Sequence, residues 1–149
     1  MALKLEIDRR VIVRAAVFTL TLVIPTYIVS VVIYIAADMS ADSNFLFVPT
    51  IALFLEMALG GARAARLKPE APFTHGALSA LSAYFVFLVL VITAGIIKGG
   101  FDDPLPNLLA YVVFFLSIFG SAGIFGAVVA TSQRQRSRAR RRRPAHRAR

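Results

Sequence analysis

Val13-Arg-Ala-Ala-Val-Phe-Thr-Leu-Thr-Leu-Val-Ile-Pro-Thr-Tyr-Ile-Val-Ser-Val-Val-Ile-Tyr-Ile-Ala-Ala37 decides the fold class, because no charged side chain interrupts it after Arg14. A helix of that length rises about 1.5 Å per residue and crosses ~30 Å of hydrocarbon with length left for tilt. A soluble core helix does not need so long an unbroken apolar run. The rest of the chain agrees: 58% of its 149 residues are hydrophobic, against about 45–50% in soluble domains.

Working outward, Met1–Arg10 has the charge of a signal-peptide n-region. The apolar run behind it is longer than the ~7–15 residues of an h-region, and Ala36-Ala37-Asp38 is a faint cleavage match, so the first helix is expected to be retained. Three more apolar runs follow, separated by polar, Gly- and Pro-bearing turns. The expected spans are 13–37, 45–62, 75–97 and 108–131, giving an all-α, four-helix transmembrane domain over 1–131. Pro25 removes one helical donor and predicts a kink in the first span, with Thr21 and Thr26 near enough to relieve the freed backbone. Residues 132–149 are Arg-rich without an apolar period and read as a disordered tail.

Orientation follows from the short flanks. Lys4, Arg9, Arg10 and Arg14 precede or open the first span. Arg63, Arg66 and Lys68 lie between the second and third, and nine arginines follow the fourth. The two opposite loops hold only Lys98, beside Asp38, Asp42, Asp102 and Asp103. The positive-inside rule therefore predicts cytoplasmic N- and C-termini in the inner (cell) membrane.

The residue inventory points away from catalysis. The chain has no cysteine and two histidines, His75 and His146, far apart in sequence. It has no Gly-rich phosphate loop, HExxH pair or paired carboxylates. No cofactor, metal site or enzymatic activity is expected.

Small residues mark where helices approach in a bilayer, since lipid gives little reason to hide apolar side chains. Ala52, Gly60 and Ala64 share a face of the second span, and Gly120, Gly123 and Gly126 form a stripe on the fourth. These are expected to pack inside one bundle, with an oligomer contact as the alternative. Glu56 is the only acidic residue within a span and falls on the Ala52–Gly60 face. A charge at mid-bilayer costs about 2.5–3.5 kcal/mol even on insertion scales, so a partner is expected. Arg63, Arg14 and His75 are the candidates, making an intramembrane ion pair or a proton site.

The tail carries Arg134, Arg136, Arg138, Arg140, Arg141, Arg142 and Arg143, with Arg147 and Arg149 beyond. Directly behind a span, it reads as a topology lock and an anionic-lipid anchor, worth about 1 kcal/mol per basic residue near the surface. It lacks the aromatic residues that stack nucleic-acid bases. The expected partners are therefore membrane lipids, with a membrane protein or a second copy of the chain as further candidates, rather than nucleic acid.

The stretch Gly60-Gly-Ala-Arg-Ala-Ala-Arg-Leu-Lys-Pro-Glu-Ala-Pro-Phe-Thr-His-Gly-Ala-Leu78 resembles the hinge of small four-span, actinobacterial-type membrane proteins of unknown function. The resemblance implies the fold and a membrane location and carries no activity. Small multidrug exporters also have four spans and one embedded Glu. Theirs lies in the first helix among aromatic residues that include Trp, whereas Glu56 is in the second span and Trp is absent here. The functional expectation is a non-enzymatic accessory or scaffold protein, with a small proton-coupled transporter using Glu56 as the alternative.

Overall fold

The computed structural model describes residues 7–39, 45, 47–97 and 105–142. Helices α1 (Arg9–Ala36), α2 (Phe47–Leu67), α3 (Pro72–Ile97) and α4 (Leu105–Arg142) follow one another. All four are long and apolar enough to cross a membrane.

The composition of the interior is what a bilayer solvent dictates. Large aliphatic and aromatic side chains such as Val32, Leu55, Phe85 and Phe114 point outward. The buried set is mostly small or polar: Ala15, Ala64, Ala80, Ala83, Ala122, Ala127, Thr19, Ser79 and His75. That inverts the pattern of a water-soluble bundle, because backbones gain more by approaching one another than by hiding leucines from lipid.

Helices α2 and α3 each pack against all three others, whereas among the described residues the backbones of α1 and α4 do not approach each other. The bundle is therefore diamond-shaped in section. Asp8 meets His75, and Arg66 meets Gln133. These contacts bring the start of α1, the end of α2, the start of α3 and the later part of α4 to one end, here the basic end.

Near that end α2, α3 and α4 meet backbone to backbone. A Cβ built on Gly61 would lie 2.2 Å from the Gly123 carbonyl oxygen, and one on Gly126 would lie 1.7 Å from that of Ala58. Gly76 and Gly123 block each other in the same way, at 2.8 and 2.4 Å from the opposing oxygens. Further along, bulk replaces glycine. Tyr84 and Phe119 pack with ring centroids 5.4 Å apart, Phe115 stacks on Phe119 at 5.7 Å, and Tyr27 meets Phe87 edge-on at 5.1 Å. The Tyr84 hydroxyl donates to Val112 O at 3.1 Å, giving the buried phenol its partner. A cavity of about 240 Å³ lies among these rings, with walls from all four helices. The bundle is thus close-packed at the basic end and held wider by aromatics beyond it.

Several expected boundaries move. Helix α2 continues five residues past the expected end at Ala62, through Gly60-Gly61, because those glycines are packed against neighbouring helices and do not form a cap. Helix α3 opens on Pro72, a residue whose fixed φ and missing N–H suit a first helical position. The largest difference is in the tail. A disordered segment was expected from 132, but α4 remains helical through Arg142. Gln, Arg and Ala are good helix formers, and a helix already nucleated by the span extends without a new nucleus. Residues 143–149, including Arg143, lie outside the described residues.

Helix α1 runs through Pro25. Neither hydroxyl expected to compensate for it does so. Thr21 Oγ1 donates to Phe18 O at 2.7 Å, and Thr26 Oγ1 is committed to α2.

Candidate functional site

Glu56 sits on α2, about 16 Å from the helix end at Leu67 by helical rise. Its carboxyl group faces α1, where Thr26 Oγ1 donates a short hydrogen bond to Oε1. Oε2 is buried and has no hydrogen-bond partner among the described residues. Thr26 in turn accepts from Ser30 Oγ through its backbone carbonyl, at 2.7 Å. Glu56 is thus bound to the bundle through a hydroxyl on α1, not through a cation.

None of the three expected cationic partners is there, which corrects the ion-pair reading. Arg63 leans along α2 toward α1, as its register suggests, but its guanidinium stops 4.3 Å from the centroid of the Phe18 ring. The aromatic face offers a cation–π contact near the basic end without the cost of carrying the charge deeper. Arg14 is exposed on α1. The space over Gly60 is filled by α1 itself: a Cβ there would fall 1.8 Å from Thr19 Oγ1.

His75 is fully buried and does different work. Its Nε2 accepts from the Asp8 backbone N–H at 3.1 Å, and Nδ1 lies 2.9 Å from Ala71 O. A backbone N–H can only donate, so Nε2 must be the acceptor and Nδ1 carries the proton given to Ala71. His75 therefore links the start of α1 to the α2–α3 turn. Asp8 completes this joint as the N-cap of α1, its carboxylate accepting from Arg10 N at 3.0 Å and Val11 N at 3.4 Å. Asp8 was missed in the sequence, where the N-terminal segment reads as a charge cluster. The available signal was an Asp directly before an apolar helical run.

The small-residue positions fall at helix contacts of differing tightness. Gly60, Ala64, Gly123 and Gly126 are buried, while Ala52 and Gly120 are half-buried. A Cβ on Gly120 would meet only the Leu81 side chain, at 3.3 Å. Of the tail arginines, Arg134 and Arg136 are exposed, and Arg138, Arg140, Arg141 and Arg142 belong to α4. Among the described residues no group of three or more His, Cys, Asp or Glu side chains could hold a metal ion.

Compared with protein-family models, curated proteins and solved structures, the chain matches none.

Proposed function

We propose that this chain is a non-enzymatic accessory or scaffold protein of the inner membrane, with both termini and the α2–α3 loop in the cytoplasm. The observation that carries the reading is the backbone-to-backbone seam of Gly61, Gly76, Gly123 and Gly126. Helices locked at that distance cannot rock past one another without separating, so the seam favours a fixed platform over an alternating one. The Glu56–Thr26 bond fits the same role, since it joins α1 to α2 as a polar tie within the bundle. The orientation rests on the asymmetry of Lys and Arg between the loops. The exposed Arg134 and Arg136 of α4 then lie at the end that meets anionic headgroups. A membrane protein or a second copy of the chain would use the outward aliphatic faces.

A second reading, a small proton-coupled transporter, is favoured by one specific observation: the unpartnered Oε2 of Glu56 is a place to carry a proton. Glu56→Gln separates the two. The amide oxygen of Gln can still accept from Thr26, and interhelical hydrogen bonds in membranes average about 0.6 kcal/mol. The variant should therefore melt within about 1 kcal/mol of the parent. In proteoliposomes under an imposed pH gradient, parent and variant should both match empty vesicles in proton flux. A parental flux that disappears in a folded Glu56→Gln would overturn the scaffold reading and establish the transporter.

A further inference from the structure

Where α2 ends against α4, the two helices frame a cleft of about 550 Å³. Its floor is made of small side chains, Ala65 and Ala130, which belong to a buried alanine cluster with Ala127. Its walls are polar and positive. Arg66 and Arg134 line it together with Thr131, Gln133 and Ser137, and among the described residues no acidic one does.

The donors in this cleft are oriented. Arg66 Nη2 donates to Gln133 Oε1 at 3.1 Å, which pins the guanidinium across the gap between the helices. A guanidinium carries five N–H donors, so the others remain available. Because the Gln133 oxygen is occupied, its amide N–H groups are the end left to bond elsewhere. The hydroxyl protons are already used: Thr131 Oγ1 donates to Ala127 O and Val128 O, and Ser137 Oγ donates to Gln133 O. The charged groups the cleft offers a ligand are therefore all donors, the guanidiniums of Arg66 and Arg134, with the amides of Gln133 and Gln135 beside them. Arg66 also lies in the last turn of α2, where it offsets the negative end of the helix dipole that would repel an anion.

We infer that the cleft between the ends of α2 and α4 is a phosphate-binding site in which Arg66, Arg134 and the Gln133 amide hold a single phosphate group. Planar guanidinium forks match phosphate oxygens in pairs, which a diffuse cloud of basic residues does not. The site deepens the reading that this end of the bundle meets anionic headgroups, and rests on it for a lipid source. The same chemistry would take a free phosphate.

The test uses the full chain in phosphatidylcholine nanodiscs. One arm titrates inorganic phosphate, and the other titrates short-chain phosphatidic acid. At least one arm should show saturable binding at one site per chain, and the arm that binds identifies the source. Arg66→Gln and Arg134→Gln should each weaken it about tenfold or more, the loss of one charge-assisted contact. Arg9→Gln removes one charge from the same end outside the cleft and should change it less than about twofold. All three side chains are exposed, and unchanged melting temperatures will show that the fold is intact. Phosphatidic acid binding without saturation, weakened equally by every arginine lost, overturns the site and leaves the general attraction to anionic lipid standing. Absence of binding in both arms overturns both.

Discussion

Gly126→Ala is expected to disrupt the bundle, although it adds a single methyl group. The new Cβ would lie 1.7 Å from Ala58 O, 2.6 Å from Ala58 C and 2.9 Å from Ala62 N. All three are backbone atoms, so no rotamer change relieves the clash and α2 must move off α4. Overpacking a core costs about 1–3 kcal/mol where side chains can adjust, and here the cost should exceed that range. Gly61→Ala should behave alike, with its Cβ 2.2 Å from Gly123 O and 2.7 Å from Gly123 Cα. Gly120→Ala is the internal control, because only a flexible Leu81 methyl opposes it and Ala favours helix by up to about 1 kcal/mol. Thermal aggregation of the detergent-purified proteins checks all three. The first two should melt far below the parent and Gly120→Ala within a few degrees of it. A Gly126→Ala protein as stable as the parent would mean that α2 and α4 do not cross there.

The second large effect is expected at His75. Its replacement by Leu keeps comparable bulk but removes the acceptor for the Asp8 N–H. Ala71 O keeps its backbone partner, the His75 N–H at 3.2 Å, so the stranded group is the amide that opens α1. A fully buried donor left without a partner costs about 1–3 kcal/mol, and the part-buried Asp8 amide falls toward the low end of that range. The loss should appear as a lower melting temperature and as faster hydrogen exchange or proteolysis at the start of α1. Asp8→Asn should be nearly neutral, since Asn caps helices as well as Asp and keeps the N–H in place. Normal protection of α1 in His75→Leu would remove the joint from the description.

The spans were legible because length and apolarity are properties of the chain itself: Ala15–Ala37 without a charge admits few alternatives. Small-residue spacing marked Gly123 and Gly126 as sites of close approach, since a helix face follows from periodicity alone. Partner choice was not legible in the same way. Glu56 was expected to seek a cation, but which side chain stands opposite depends on the rotation of α1 against α2. That rotation is set by Gly60 receiving Thr19, 41 positions earlier in sequence. It brings Thr26 to Glu56 and leaves Arg63 over Phe18. His75 reads as a candidate partner for Glu56 because the amide it accepts from, that of Asp8, lies 67 positions earlier in sequence. The helical extension of α4 is hard to read from the sequence for another reason. An exposed continuation has no apolar period to read, and only the propensities of Arg, Ala and Gln announce it.

The alternation of the four spans and the cytoplasmic placement of the basic end can be tested by impermeant thiol labelling of single cysteines in intact cells. The parent chain has no cysteine, so each label reports one site. Ser40→Cys and Gly100→Cys lie in the α1–α2 and α3–α4 connections, and Ala71→Cys lies in the α2–α3 turn that His75 ties to α1. The first two should label from outside, and Ala71→Cys should label only after the membrane is permeabilised. Labelling of Ala71→Cys in intact cells, with Ser40→Cys and Gly100→Cys protected, would place the basic end outside and contradict the proposed topology.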